Sequence, residues 1–334
     1  MTKPETSSPR ISILIVGYNS AALIAVCIGS IAEANTKTAC EILFIDNGDG
    51  STESLVAATF PNVIILPSRG NIGFAAANNL LAKQAKGDFL LLLNPDVELQ
   101  PCAIDALMQA TLDHSAASAW GGVTLDANGA PDLGNRVHIP SISELASRLT
   151  GKSQASIGEA RGCISDARVE VLSGSFVMLA REAWDQAGGL DERYFLYCEE
   201  VDLFVRLASK GHSFWRVAAA QCYHNIGHGE VISPIRMLYR AAGTMQFARI
   251  HWSRWRQELA FLLLWAGALQ RFLIGRMLGR WRPKWPRVAK GHRDIALRPS
   301  SWRYGYDPER GLLSKVNPER PANAKNAAQK SDTV

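Results

Sequence analysis

Gly87–Leu99 reads GDFLLLLNPDVEL, four consecutive leucines running straight into Asn94-Pro95-Asp96. A short apolar run bounded by turn residues is the pattern of a strand buried on both faces. Three such runs precede it. ISILIVGYN (Ile11–Asn19) is β-branched and apolar, EILFIDNGDGST (Glu41–Thr52) ends in an Asp/Asn/Gly turn, and NVIILP (Asn62–Pro67) is the shortest. Helical stretches lie between them: AALIAVCIGSIAEA (Ala21–Ala34) behind the capping residue Ser20, a helix around Glu53–Thr59, and Ala75–Lys86 stopped by Gly87. The alternation predicts an α/β fold, a mostly parallel sheet flanked by helices with its ligand at the carboxyl ends of the strands. Gathered on that edge are Gly17-Tyr18-Asn19, Asp46-Asn47, Arg69-Gly70-Asn71 and Asn94-Pro95-Asp96, a polar set suited to a nucleotide.

Several classes drop out early. No GxGxxG follows the first strand and no GxxxxGK[ST] occurs, which disfavours a dinucleotide fold and a P-loop. GNIG (Gly70–Gly73) matches an RNA-binding GxxG only superficially, because the aromatic and basic residues that RNA needs are missing around it. Six cysteines, at positions 27, 40, 102, 163, 198 and 222, lack CxxC spacing, so neither a zinc knuckle nor a disulfide framework is indicated. With 334 residues, 47% hydrophobic and 20% charged, the chain can bury a large core. The scattered cysteines make a reducing cytoplasm the expected home, and MTKPETSSPRIS, polar and leading directly into a strand, does not read as a signal peptide.

Between Val171 and Gly229 the chain places Glu199-Glu200 at the mouth of a short helix, with His224 two dozen residues downstream. A carboxylate at a strand end suits a divalent cation that holds a diphosphate, and a second one from a later helix suits a general base. Each has a plainer reading. Acids at a helix N-terminus complement its dipole for about 0.3–1 kcal/mol. Asp96 can be a turn residue after proline, Asp46 an Asx-turn, and His224 or His228 a packing histidine. Asp202 and Arg206, four apart, are expected to pair on a helix surface. Trp184 and Tyr194–Tyr197 are either a platform for a sugar ring or core.

Taken together, VGYNS (16–20), FIDNGDGST (44–52), NIGFAAANN (71–79), LLLNPDVEL (91–99), SGSFVMLARE (173–182), GGLDERYFLYCEEVDLFVRL (188–207) and YHNIGHG (223–229) resemble a family 2 glycosyltransferase of GT-A fold, closest to the bacterial rhamnosyltransferase-like branch. The ordered set covers about residues 11–230. The resemblance implies inverting transfer of a sugar, L-rhamnose from dTDP-L-rhamnose, from a nucleoside diphosphate donor to a hydroxyl of a lipid-linked or growing cell-surface glycan. By position it assigns Glu200 as base, Asp96 and His224 to Mg²⁺ or Mn²⁺, and Asp46 to the base of the nucleotide. Tyr18, Asn19, Asn47, Arg69, Asn71 and Asn94 would complete the donor pocket, and Asp191 and Glu199 the acceptor side. Two departures stand out: Asn94-Pro95-Asp96 where many relatives have Asp-x-Asp, and Glu199-Glu200 where Glu-Asp is usual. They leave room for a catalytically weak nucleotide-sugar-binding scaffold, and a sugar nucleotidyltransferase would share the same edge.

The net charge of +5 is unevenly spread. Residues 236–293 carry thirteen Lys/Arg against Glu258 alone, a local +12 that leaves about −7 for the rest, and five of the nine tryptophans. Leu259–Gln270 is uncharged for only twelve residues, short of the roughly twenty a membrane span needs. The expectation is a basic amphipathic helical region over 231–313 lying on the anionic inner face of the plasma membrane, the alternatives being packing on the catalytic domain or an oligomer contact. The acidic remainder argues against nucleic acid. Asp132–Ser165 reads as a mobile substrate loop, and residues 1–10 and 314–334 as disordered ends.

Overall fold

The computed structural model describes residues 10–35, 37–126, 128–132, 137–150, 165–224, 233–279, 281 and 284–306. The expected ends of the chain and His228 lie outside that set. Two units divide the chain: Met1–Ile139, Ala155–Glu192 and Glu199–Gly229 form the first, while Pro140–Gln154, Arg193–Cys198 and Glu230–Val334 form the second.

The first unit is built on nine strands: β1 (Ile11–Gly17), β2 (Cys40–Asp46), β3 (Ile64–Leu66), β4 (Phe89–Leu93), β5 (Val97–Leu99), β6 (Ala119–Leu125), β7 (Ala167–Val169), β8 (Phe176–Ala180) and β9 (Phe214–His224). They run in the order β3-β2-β1-β4-β8-β6-β9-β5, with β7 also on β9. The four strands anticipated from the alternation form the parallel half, so Gly17, Asp46 and Leu93 end on one edge. Beyond β4 the sheet is mixed, since β8 is antiparallel to both β4 and β6 while β6 and β9 run parallel.

Period-two alternation distributes the core to both faces. Ile11, Ile13, Ile15, Phe44 and Leu91 pack beneath α1 (Ile24–Ala34), α2 (Ser51–Thr59) and α4 (Ala103–Asp113). Leu14, Val16, Leu43, Leu90 and Leu92 face α3 (Phe74–Gln84), α6 (Arg181–Ala187) and α7 (Glu199–Ser209). Each such side chain is worth roughly 1.5–3 kcal/mol on burial.

Three local expectations are corrected. Ser20 does not cap α1: its Oγ accepts from Tyr18 N (2.9 Å) and its carbonyl from Leu23 N and Ile24 N, so a tight turn precedes the helix. Gly87 does not stop α3, which ends at Gln84; a Cβ there would lie 2.6 Å from Ser12 N, so the glycine admits the backbone of β1. Within the stretch read as a substrate loop, Ile142–Leu149 is a helix, α5, capped by Ser141 Oγ accepting from Glu144 N (3.1 Å) and laced by Arg148 on Glu144 (2.5 Å). Ser-Ile-Ser-Glu is a capping-box pattern, legible but passed over.

The second unit holds α5 with α8 (Pro234–His251), α9 (Arg254–Leu278) and α10 (Lys284–Leu297). Phe195 stacks on Tyr239 (5.2 Å), and Tyr306 Oη donates to the carbonyls of Leu196 and Tyr239. Gly243 of α8 leaves a Cβ only 2.5 Å from Tyr197 O. At 25 residues α9 is long and apolar enough to cross a membrane by length and composition only, a test that the core helix of a soluble protein also passes.

Gly122 sits where the β6–β9 register shifts, and a Cβ there would meet Phe176 Cδ1 at 2.1 Å and Ala220 O at 2.8 Å. Gly122→Ala is therefore expected to destabilise the fold by about 1–3 kcal/mol, read as a lower urea midpoint with unchanged slope.

Candidate active site

The polar edge begins where β1 ends. Gly17 is required because a Cβ would sit 2.7 Å from the Phe44 ring. Tyr18 then presents a ring that is 41% exposed, and Asn19 takes φ +50°, a left-handed turn that asparagine tolerates. Asp46 ends β2 with its side chain fully buried. Its Oδ1 accepts from Gly48 N (2.7 Å) and its Oδ2 from Glu53 N (3.2 Å), so the carboxylate shapes the loop into α2 in the Asx-turn manner. Asn47 donates from Nδ2 to Gly73 O (3.0 Å), while its buried Oδ1 has no hydrogen-bond partner. Ser68 Oγ donates to Asp46 O (2.5 Å), and Asn71 Oδ1 accepts from Gly73 N (3.3 Å), where Gly73 has φ +88°. The loop holding exposed Arg69 and half-buried Asn71 is thus fastened to the β2 end.

Asp96 and His224 meet because β5 pairs antiparallel with β9, Val97 opposite His224. His224 Nε2 lies 3.0 Å from Asp96 Oδ1, with the histidine buried and the carboxylate partly open. Behind them Cys27 Sγ donates to Asn94 O (3.4 Å). Burial first, then the Asp96 charge, pushes the Cys27 thiol up; burial pushes Cys222 up to about 12. Both are held as neutral packing groups. Asp96 supplies the oxygen ligand that a hard divalent cation prefers, and His224 could add a nitrogen ligand only for a softer ion, so the carboxylate would be the main protein ligand. Among the described residues no group of three or more His, Cys, Asp or Glu converges, so the protein would supply a sparse set of ligands.

Glu200, the second residue of α7, is half-buried. The Cβ direction of Gly174 points within 3.7 Å of Glu200 Cβ and 3.6 Å of Phe74, and the next residue, Ser175, accepts at its carbonyl from Asn94 N (2.9 Å). Gly174 thus lies beside Glu200, and the next residue, Ser175, is hydrogen-bonded to Asn94. Glu199 points elsewhere. It is 3% exposed, its Oε2 lacks a hydrogen-bond partner, and burial, then the neighbouring Glu200, holds its carboxyl well above the usual range.

Asp191 lies in a loop fixed from two helices. Asn79 of α3 accepts from Leu190 N (3.0 Å) and donates to Leu190 O (2.8 Å) and Glu192 Oε1 (2.9 Å). Arg206 pairs with Asp202 (2.6 Å) as their spacing predicts, but Asp202 is fully buried and not on the helix surface, because Arg206 also donates to Ala187 O and Gly189 O and closes over it. Gly188 and Gly189 both take φ +74°. Asn79 and the extra reach of Arg206 were missed; the Gly-Gly pair beside Asp191 was the available signal. Trp184 and Tyr194 are buried core, not a sugar platform.

The edge combines the carboxyl ends of a parallel half-sheet with polar loops and the carboxylates of Asp46 and Asp96. The glycosyl transferase family 2 model matches residues 12–164. The N-acetylglucosaminyl-diphospho-decaprenol L-rhamnosyltransferase of Mycobacterium tuberculosis is 30% identical over 269 residues, 72% of this chain and 85% of that protein. Rhamnosyltransferase WbbL of Escherichia coli is 28% identical over 172 residues, 48% and 64% of the two chains. In fold, the mannosyltransferase PcManGT of Pyrobaculum calidifontis, solved with GDP-Man and Mn²⁺, is similar at TM-score 0.52 and 16% identity, covering 87% of this chain and 86% of its own. The chain belongs to glycosyl transferase family 2 and is a glycosyltransferase of GT-A-like α/β fold.

A carboxyl whose folded pKa lies above its unfolded one binds its proton more tightly in the native state. Stability is then complete at acid pH and is lost as pH rises from about 4.5 toward the folded value. Glu199→Gln removes that loss, so its Tm should exceed wild type at about pH 8 and the gain should vanish by about pH 4. Each kcal/mol recovered moves Tm by roughly 2–4 °C, measured by thermal melts across that range.

Proposed function

We propose that the chain catalyses inverting transfer of L-rhamnose from dTDP-L-rhamnose to a hydroxyl of a lipid-linked or growing cell-surface glycan, with Mg²⁺ or Mn²⁺. The observation that supports it is the segment Gly174-Ser175, which lies beside Glu200 and is hydrogen-bonded to Asn94. The names of the Mycobacterium and Escherichia relatives support rhamnose, the Mycobacterium name also supports a diphospho-polyprenol acceptor, and the Mn²⁺ of the Pyrobaculum structure supports a divalent ion.

In this reading Tyr18, Asn19, Asn47, Arg69 and Asn71 surround the nucleotide, and Asp46 acts by shaping their loop. Asp96 and His224 hold the cation, with Asn94 beside them; when bound, the ion neutralises charge on the departing diphosphate. Glu200 takes the proton from the acceptor hydroxyl as the new C–O bond forms at the anomeric carbon and the bond to the diphosphate breaks on the opposite face. Burial, then the neighbouring Glu200, disfavours the charged form of Glu199, which limits the build-up of two adjacent anions. The loop fixed by Asn79 and Arg206 offers Asp191 to the acceptor. Acting on a lipid-linked glycan places the enzyme at the cytoplasmic leaflet as a peripheral protein.

Glu200→Gln should lower turnover by roughly 10²–10⁴-fold while leaving donor affinity within about twofold, measured by product release and by calorimetry with dTDP-L-rhamnose. Equal turnover in the variant, or pyrophosphate in place of a nucleoside diphosphate, would remove the mechanism. Asp96→Asn should instead weaken donor binding in the presence of Mg²⁺ or Mn²⁺ by about tenfold and leave metal-free binding unchanged.

A further inference from the structure

Helix α9 has two apolar faces of opposite character. One carries Ala260, Gly267, Ala268 and Gly275, small residues that let neighbouring helices come close. A Cβ at Gly275 would lie 2.8 Å from Ala289 N and Trp285 O of α10, and one at Gly267 would lie 3.3 Å from Leu149 of α5. Trp265 Nε1 donates to Ala296 O (3.1 Å), so α9 and α10 form an antiparallel hairpin whose pairs run from 275 with 289 to 265 with 296. That face is used up inside the unit.

The other face is made of large side chains and is left open. Trp255, Leu262, Leu269, Leu273 and Met277 are spaced seven, seven, four and four residues apart, a single stripe at 3.6 residues per turn. Trp255 is 67% exposed and Met277 74% exposed, and just past the helix end Trp281 reaches 81%. A soluble helix that needed only its internal contacts would carry polar residues here.

Charge says what covers it. Glu258 is the sole acid between residues 236 and 293, and it is already paired with Arg303 (2.7 Å). Arg254 and Arg276 on α9 and Arg287, Lys290 and Arg293 on α10 are exposed. An apolar stripe ended by tryptophans and accompanied by unopposed cations is complementary to an anionic, amphipathic surface. An aqueous acidic protein would meet the cations but not the stripe.

We infer that the open face of α9, with Trp281 and the exposed Arg254 and Arg276 of the same helix, is the surface that lies in an anionic phospholipid bilayer. It deepens the membrane placement proposed above and rests on that reading for its purpose, but lipid contact is measured without any sugar transfer. The helix lies in the interface, with its small-residue face still against α10 and α5. Leu262, Leu273, Met277 and Trp281 enter the acyl boundary while the arginines stay at headgroup level.

The full chain is titrated with vesicles of phosphatidylcholine alone and with about 30% phosphatidylglycerol. Binding to the anionic vesicles is expected to be at least about tenfold tighter and to weaken as salt is raised. Met277→Glu with Trp281→Glu should cost about tenfold or more in that binding, leaving turnover on a water-soluble acceptor analogue unchanged. Leu112→Glu, which replaces a 72%-exposed leucine of the first unit, should change neither. Wild-type binding by the double variant overturns the surface. So does a wild-type protein that resists both salt and alkaline wash, which would mean that α9 spans, or a variant whose only change is from dimer to monomer in the absence of lipid. Lost turnover in wild type with every donor would strike the transferase reading and leave the vesicle result standing.

Discussion

Val97 lies opposite His224 in the antiparallel β5–β9 ladder, and that register is the constraint on which the Asp96–His224 pairing depends. Asp96 and His224 are 128 residues apart in sequence, and nothing but the ladder brings a carboxylate and an imidazole to 3.0 Å. A slip of one residue would turn His224 to the other face of the sheet. The register is held from both sides: Gln100 N donates to Gln221 O, and β9 is also paired with β6 and β7. Gly122 lets β6 pass Phe176 at the bulge, so a glycine far from the chemistry sets where the histidine arrives.

The same economy governs the base. Helix α7 presents Glu200 only if the loop before it stays in place, and that loop carries two left-handed glycines with little intrinsic order. Asn79 uses its carbonyl and its amide to hold Leu190, and Arg206 holds the carbonyls of Ala187 and Gly189. Asp202 is buried beneath that guanidinium at 2.6 Å, a charge that is tolerable because it is paired and hydrogen-bonded. Helix α3 thus connects the Asn71 loop at its start with the Asp191 loop through Asn79.

Much of this was legible in the residues because the signals were local. Leucine runs and β-branched runs marked β1 to β4, and alternation of strands with helices implied one polar edge. What escaped depended on partners distant in sequence. Ser20 reads as a helix cap, but Tyr18 N competes for its oxygen. Gly87 reads as a helix stop, yet its role comes from the backbone of Ser12, seventy-five residues away. Asp46 reads equally as a nucleotide ligand or a turn residue until Gly48 and Glu53 are seen donating to both oxygens. Asn79 has no local signature at all, since an asparagine in an alanine-rich helix shows nothing of the loop it holds.

The carboxylate pair shows how environment, not residue type, divides labour. Glu199 and Glu200 are chemically identical neighbours on the first turn of one helix, where the dipole favours negative charge for both equally. Burial breaks the tie. Glu199 is 3% exposed with an oxygen that no donor reaches, so ionising it would place an uncompensated anion in the core beside Glu200. Burial, then the neighbouring Glu200, therefore holds the Glu199 carboxyl well above the usual range, while Glu200 is only half-buried and lies beside Gly174. Replacing the usual aspartate by a glutamate at position 200 adds a methylene to the reach of its carboxyl. The absence of a side chain at Gly174, whose Cβ would come within 3.7 Å of Glu200 Cβ, leaves room for it.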